Sequence, residues 1–446
     1  MAAFNSDDTI VARGTPAGRG GIAVIRISGP LVAEMAAALL GELPEPRYAT
    51  LTDFLDAGGQ PIDSGIVLYF PAPNSFTGED VLELHAHGGT VVCEMLIERV
   101  CSLGARVAEA GEFSRRAFLN DKLDLAQAEA IADLIDSSSR TAARAAQRSM
   151  RGRFSDIVLA LNEQVTALRV HVEAAMDFPE EEIDFLPDEA LLNRLDSVRA
   201  SFEDVDKTVT RGCLLRDGAT VVLAGRPNAG KSSLLNALAG YDAAIVTEIE
   251  GTTRDLVREH IELNGLPLNI IDTAGLRVAG DAIEEEGVRR AQRELGSADH
   301  ALVVIDASSA NLADELLGEL PPDLNYTIVR NKIDLTNEQP GISASNERTV
   351  SISALNGTGI DELRTHLEQQ LGYEPAAEGG VTARRRHLES LRRARNHFDA
   401  AATLLAQGEL MAEELLQVQN ALAEITGQFS SDDLLGEIFG SFCIGK

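Results

Sequence analysis

The sequence predicts a multidomain α/β protein. It has an N-terminal α+β domain, a helical domain interrupted in sequence, and an α/β domain with a phosphate loop inserted into the interruption. Three observations predict this. A glycine-rich loop sits between a strand-like and a helix-like run near the middle of the chain. Short apolar runs separated by turns fill the first 120 residues. Stretches rich in Ala, Leu, Glu and Arg, with apolar residues at helical spacing, lie on both sides of the centre. A length of 446 residues suits about three domains, each able to bury a core.

Residues 1–120 form the first domain. Gly21 to Pro30 and Ser64 to Phe70 read as strands, Val91 to Ser102 has helical spacing, and Ala105 to Ala108 reads as another strand. Residues 121–213 read as long helices, broken near Phe178-Pro179 and Leu186-Pro187. The inserted domain takes residues 214–376, and helices return over 377–446, through Phe439. One helical domain built from both flanks is more economical than two, because each flank alone would have to bury its own apolar stripe. Arg384-Arg385-Arg386, Arg392-Arg393 and Arg395 form either a solvated, acid-paired helix face or an RNA-facing patch.

In the inserted domain the apolar run Thr220 to Ala224 leads into Gly225-Arg226-Pro227-Asn228-Ala229-Gly230-Lys231-Ser232, a G-x-x-x-x-G-K-S loop. Ser233 to Leu238 leads out as a helix. Glycines let backbone N–H groups converge, and the helix N-terminus adds positive potential. Lys231 can reach the outer phosphates and Ser232 can ligand Mg²⁺. Asp272-Thr273-Ala274-Gly275 ends a second apolar run, where a carboxylate can hold the magnesium shell and the Gly275 N–H can meet a γ-phosphate. Asn331-Lys332-Ile333-Asp334 follows the run Tyr326 to Val329. An ionised Asp334 can accept from both N1–H and N2–H₂ of guanine. Adenine lacks that donor pair and would leave the carboxylate buried and unpaired. Ser353-Ala354 follows Thr349 to Ile352, and a backbone N–H there can cap guanine O6. Asn264-Gly265 signals a hairpin turn.

Composition narrows the partners. A net charge of −31 repels nucleic acid unless a local basic patch or a partner intervenes. No run approaches the roughly 20 apolar residues of a membrane span, the start is polar and acidic, and Cys93, Cys101, Cys213 and Cys443 fit neither a zinc pattern nor a disulfide frame. A cytoplasmic, membrane-free protein is expected. Only five lysines stand against 34 arginines, and Lys122, Lys231, Lys332 and Lys446 fall in motifs. Lysine used so selectively suggests positions where a planar guanidinium will not serve.

In this order and spacing, the four motifs resemble a translation-factor-type GTPase over residues 214–375. Leu276 stands where Ras-like enzymes carry a water-orienting glutamine. Asn228, together with Thr247-Glu248-Ile249-Glu250-Gly251-Thr252-Thr253, resembles the potassium-activated GTPases. That resemblance implies Asn228, Thr247, Ile249 and Thr252 as K⁺ ligands, Thr253 beside Ser232 on Mg²⁺, and Thr247, Thr252 and Thr253 at the nucleotide with Asn228 to Ser233. For Asn228 the alternative is an ordinary loop-stabilising amide.

Three further segments point to one family: Asp8 to Ala12 with Gly18 to Gly21; Ser75 to Leu84 with Asn120 to Leu125; and the terminal Phe442-Cys443-Ile444-Gly445-Lys446. With the inserted GTPase they resemble the MnmE (TrmE) family of tRNA modification GTPases along the whole chain. The resemblance implies an N-terminal folate-binding domain that forms a homodimer, a helical domain from both flanks, and a Ras-like domain between. It implies installation of an aminomethyl-type group on C5 of the wobble uridine of certain tRNAs. The partner would be the flavin-dependent MnmG, and a tetrahydrofolate derivative would supply the one-carbon unit. Arg26, Glu83, Lys122 and Lys446 match the family's folate contacts. A pterin has a guanine-like donor edge for Glu83, and the anionic glutamate tail suits Arg26 and the lysines. For Glu83 the alternative is a surface carboxylate, and for Arg26 a structural ion pair. Glu284 matches the catalytic glutamate that orients water, with Glu285 as the neighbouring register. His85 and His87, too few to bind metal, read as loop residues near the folate. The rival is a regulatory or ribosome-assembly GTPase without carbon chemistry.

Overall fold

The computed structural model describes residues 8–177, 189–239, 258–272, 298–309, 313–318, 320–336, 338–373, 379–428, 432–443 and 445. Two compact units divide the chain, Met1–Ala132 with Leu416–Lys446, and Asp133–Leu415.

The first unit holds a six-stranded sheet of β1 (Ile10–Arg13), β2 (Gly20–Ser28), β3 (Thr50–Leu55), β4 (Pro61–Phe70), β5 (Val81–Gly88) and β6 (Arg106–Val107), in the order β3-β4-β5-β2-β1-β6. Only β1–β6 is parallel. Strict alternation builds the core. Ala23, Ile25 and Ile27 on β2 and Leu82, Leu84 and Ala86 on β5 are buried beneath helices Val32–Leu40 and Thr90–Ser102. Their neighbours Val24, Arg26, Glu83 and His85 fall on the opposite face. His85 and His87 therefore lie within β5 and not in a loop. The pairing of β5 with β2 runs on to Gly88 opposite Gly20, so the strand carries both histidines.

The chain end returns to this unit. Leu435, Ile438 and Phe439 of helix Asp432–Gly440, together with Phe442, pack on Leu125, Ala128 and Phe118. The Phe439 ring lies 6.3 Å from Phe118 and 5.4 Å from Phe442. Burying each phenylalanine contributes roughly 2 kcal/mol, which explains why the apolar spacing Ile438, Phe439, Phe442 holds the terminus here. Gly445 consequently lies against the backbone of Arg13, at the end of β1.

The second unit carries a seven-stranded sheet: β7 (Ala219–Ala224), β8 (Arg258–Leu263), β9 (Leu266–Asp272), β10 (His300–Asp306), β11 (Tyr326–Asn331), β12 (Gly341–Ser343) and β13 (Asn346–Ser351). Its order is β12-β13-β11-β10-β7-β9-β8. The five inner strands are parallel, with antiparallel edges β8 and β12. Burial on both faces explains the unbroken apolar runs Val221–Leu223 and Ala301–Val304. The β8–β9 turn has φ of 48° at Asn264 and 94° at Gly265, the left-handed pair that a two-residue hairpin demands. Helices Arg153–Asp177, Glu189–Asp217 and Arg385–Thr403 pack together, with rings of Phe202 and Phe398 5.3 Å apart and of Phe154 and His387 5.0 Å apart. Segments from both sides of the inserted sheet thus share one helical core. In the basic stretch, Arg384 donates to Asp133 at 2.7 Å, Arg385 lies 3.9 Å from Asp217, and Arg395 4.0 Å from Asp399, the arrangement of an acid-paired helix face.

Candidate functional site: a phosphate loop and guanine-reading loops

Among the described residues, the phosphate loop, Asp272, Asn331 to Asp334 and Ser353-Ala354 lie at the carboxyl ends of the parallel strands. In such sheets the loops there are free to diverge and helix N-termini converge on them. The phosphate loop follows β7 and opens helix Lys231–Ala239. Asn228 has φ 64° and Gly230 φ 93°. At Gly230 a side-chain carbon would sit 2.2 Å from Asn331 Nδ2, so only glycine lets the loop close on its neighbour. Lys231 is buried to 7 % exposure. Its Nζ donates to the carbonyls of Gly225 at 3.0 Å and Arg226 at 3.4 Å, which folds the ammonium over the loop.

Asn331 ends β11 and ties three segments together. Its Nδ2 donates to Ala229 O at 3.0 Å. Its Oδ1 accepts from Lys332 N at 2.8 Å and Ala354 N at 3.0 Å. This side chain is buried and ties the phosphate loop to the 331–334 and 353–354 loops. Asp334 Oδ1 accepts from Ser353 Oγ at 2.5 Å, which orients the carboxylate. A cleft of about 250 Å³ beside these loops is lined by Pro227, Asn228, Ala229, Asp306 and Lys332, among others.

The structure therefore brings together Asn228, Ala229, Gly230, Lys231, Ser232, Ser233, Asn331, Lys332, Asp334, Ser353 and Ala354. Asp272 stands at the carboxyl end of β9, beside β7. Thr247, Ile249, Thr252, Thr253, Thr273, Ala274, Gly275, Glu284 and Lys446 lie outside the described residues, as do Leu276 and Glu285. One participant escaped the sequence. Asp306, at the end of β10, pairs with Lys332. It closes the apolar run Ala301–Ile305 in the way Asp272 closes its own run, and that pattern was the available signal.

A second polar cluster lies on the first unit's sheet. Arg26 and Glu83 are directly opposed on β2 and β5, with Arg26 Nε and Nη2 2.9 and 2.8 Å from Glu83 Oε1. The other Glu83 oxygen meets His85 Nε2 at 3.3 Å. The Arg26 guanidinium is 5.7 Å from the Phe76 ring and 5.8 Å from Phe113. Lys122 Nζ donates to Pro73 O at 3.0 Å, and Asn120 Nδ2 to Thr77 O at 2.7 Å, so Lys122 reaches the same 73–77 loop that carries Phe76. That loop is fastened from beneath. Arg116, 4 % exposed, donates to Glu79, Glu112 and Asp8. Burial alone would raise the Glu112 carboxyl, but hydrogen bonds from Arg106, the Glu109 backbone and Arg116 outweigh it and hold the group below its usual range. His85 and His87 do not share a partner, since His87 Nδ1 pairs with Asp63 at 2.8 Å.

A parallel sheet with phosphate loop, Asn-Lys-x-Asp and Ser-Ala at adjacent strand ends defines a guanine-nucleotide-binding P-loop protein. A family model described as the MnmE helical domain matches residues 125–443, and one described as the GTP-binding protein TrmE N-terminus matches residues 9–122. A protein of Pseudomonas syringae pv. tomato is 56 % identical over 98 % of this chain and 99 % of its own. One from Yersinia pseudotuberculosis is 54 % identical over 99 % of this chain and all of its own. Both are called tRNA modification GTPase MnmE. The chain belongs to the MnmE family and is a GTPase. Among solved structures, the G domain of the T. maritima FeoB iron transporter is similar at 26 % identity over 34 % of this chain and 98 % of that one, with a TM-score of 0.28.

Proposed function

We propose that this GTPase uses Mg²⁺ and K⁺. With the flavin-dependent partner MnmG, it installs an aminomethyl-type group on C5 of the wobble uridine of certain tRNAs, taking the carbon from a tetrahydrofolate derivative, as a cytoplasmic homodimer. The observation that carries this is the second polar cluster. A guanine switch that only regulates needs no Arg–carboxylate pair held among aromatic rings on a separate sheet. A pterin needs a carboxylate acceptor for its donor edge and a cation for its glutamate tail. Glu83, held by Arg26, supplies the acceptor, and Lys122, which attends the adjoining loop, supplies a cation for the tail, with Lys446 as the second. Homodimer formation is supported by the same sheet face. Leu51 is 78 % and Ile66 43 % exposed, directly opposite one another on β3 and β4, an apolar pair suited to a second copy.

In the nucleotide site Ser232 and Thr253 hold Mg²⁺. Asn228, Thr247, Ile249 and Thr252 hold K⁺, whose charge offsets that developing at the phosphates during transfer. Glu284 orients the attacking water, with Glu285 as the alternative register. Two titrations test the proposal. The full-length protein is expected to bind 5-formyltetrahydrofolate and to lose affinity when Lys446 is deleted. GTP turnover is expected to be faster in K⁺ than in Na⁺ at equal ionic strength. No folate binding by the intact protein moves the regulatory GTPase to first place, and equal rates in both salts remove the potassium assignment.

A further inference from the structure

Asp306 and Asn331 are register partners at the ends of neighbouring parallel strands β10 and β11. Lys332 follows with φ 68°, in the left-handed region, which takes it out of the strand's alternation. Its Nζ lies 2.7 Å from Asp306 Oδ2. The other carboxylate oxygen, Oδ1, accepts from Ser308 N at 2.9 Å and Ser308 Oγ at 2.6 Å. Both oxygens are engaged, and the carboxylate is a fixed anchor. The hydrogen bond from Lys332, followed by those from Ser308, holds its carboxyl down to about 2, so it stays ionised under working conditions. The lysine stem must cross from the end of β11 to the end of β10 to make this pair. Pro227 to Ala229 of the phosphate loop line the same cleft, and base-reading Asp334 is two residues away in sequence.

We propose that Asp306 is a positioning residue for nucleotide recognition: by pinning the Lys332 ammonium, it holds the lysine methylenes as one wall of the purine slot. This rests on the guanine-site assignment of the same loops. A free lysine would give up rotamer freedom each time a nucleotide docked against it, whereas a pinned one is already ordered. The role has a sign that separates it from simple electrostatics. A carboxylate near a phosphate loop repels polyphosphate, so its loss would tighten binding, and more for GTP than for GDP. Loss of a pin weakens both nucleotides by the same factor, because the purine is common to them.

The test uses full-length protein and fluorescent GDP and GTP, with wild type, Asp306→Asn, Lys332→Met and the double variant. Asp306→Asn is expected to weaken both nucleotides by the same factor, about tenfold. In the Lys332→Met background, where no ammonium remains to pin, adding Asp306→Asn is expected to change nothing further. Unchanged or tighter binding by Asp306→Asn overturns the proposal, and so does a tenfold loss that persists on Lys332→Met. Ser308→Ala keeps the ion pair but loosens the carboxylate. A smaller loss of the same sign is expected, and it keeps the question answerable if Asp306→Asn folds poorly. Failure of wild type itself to bind GDP refutes the guanine site, which is distinguishable from failure of the pin.

Discussion

The two sheets build their polar sites in opposite ways. In the parallel sheet of the second unit, the candidate nucleotide site sits in loops at strand ends, and each loop is a contiguous run: 225–232, 331–334, 353–354. In the mostly antiparallel sheet of the first unit, the candidate site sits on a strand face. Arg26 and Glu83 are 57 positions apart and meet only because β2 and β5 are in register. Strand-end loops gather groups by local sequence, while strand faces gather them by pairing. The first kind tolerates no change in the loop, and the second tolerates no slip in register.

The largest expected effect breaks the strand-end site at its specificity. Asp334→Asn replaces an acceptor by a group that also donates, opposing the guanine donor edge. GTP affinity should fall at least a hundredfold, while xanthosine triphosphate, which has a carbonyl where guanine has the 2-amino group, should gain. Competition binding of the two nucleotides checks this. Retained GTP preference would remove Asp334 as the base reader.

Acid separates the two units next. In the parallel sheet, His300 Nε2 is 2.9 Å from Thr327 Oγ1, which is 3.0 Å from His366 Nε2. Burial, followed by the nearby His366 and Arg348, pushes His300 down to about 4, and burial also lowers His366. An unfolded histidine titrates near 6.5. Between pH 6.5 and 4 the unfolded chain binds more protons than the native one, so stability falls as pH drops through that window, by about 3 kcal/mol for His300. In the first unit the paired carboxylates Asp8 and Glu112 are held below their unfolded values of 3.8 and 4.5. Their contribution is present above those values and is lost only as pH falls further. Urea unfolding at pH 7, 5 and 3.5 should therefore show the second unit weakening first. A His300→Gln variant should flatten the step between pH 7 and 5, and an unchanged step would reassign it.

On the strand face, Glu83→Gln keeps the shape of the pair but removes the charge that faces Arg26. Folate affinity should fall about tenfold to a hundredfold, the range of a charge-assisted hydrogen bond. Arg26→Ala should do the same through the opposite partner, while basal GTP turnover stays unchanged in both. Isothermal titration with 5-formyltetrahydrofolate measures it. An effect on turnover equal to the effect on folate would mean that the pair is only structural support.

This contrast also explains what the sequence could reveal. The phosphate loop, the base-reading motifs and the Asn264-Gly265 turn were legible because each is local chemistry at fixed spacing. The doubly buried strands β7 and β10 were legible as apolar runs. β3 was not: its exposed Leu51 and Asp53 blur the alternation of an edge strand. Arg26 and Glu83 carried no local signal and were reached by family resemblance. His85 looked like a loop residue because pairing with β2, not composition, extends β5. The clamp by Asn331 and the anchor Asp306 needed the register of β10 on β11, which no single segment contains.

The smallest effect tests how the inserted sheet is held to the helices of its own unit, at the end away from the nucleotide loops. Ser139 Oγ accepts from Ala142 N at 3.0 Å, capping helix Arg140–Met150, and donates to Gly265 O at 3.1 Å in the hairpin tip. Tyr373 holds the same tip through Asn264 O at 3.2 Å. At Gly265 a side-chain carbon would fall 2.4 Å from Thr141 Oγ1, so tip and helix are already in contact. Ser139→Ala removes the cap and leaves a carbonyl without that donor, at a cost of about 1–2 kcal/mol. Ser139→Thr should recover most of it. Denaturant midpoints of the three proteins measure the loss. GDP affinity should not move, because the tip lies at the start of β9, whereas the 331–334 and 353–354 loops follow the opposite ends of β11 and β13. A drop in GDP affinity without a drop in stability would instead make the hairpin a lever between helix and nucleotide. The two ends of the sheet would then no longer be independent.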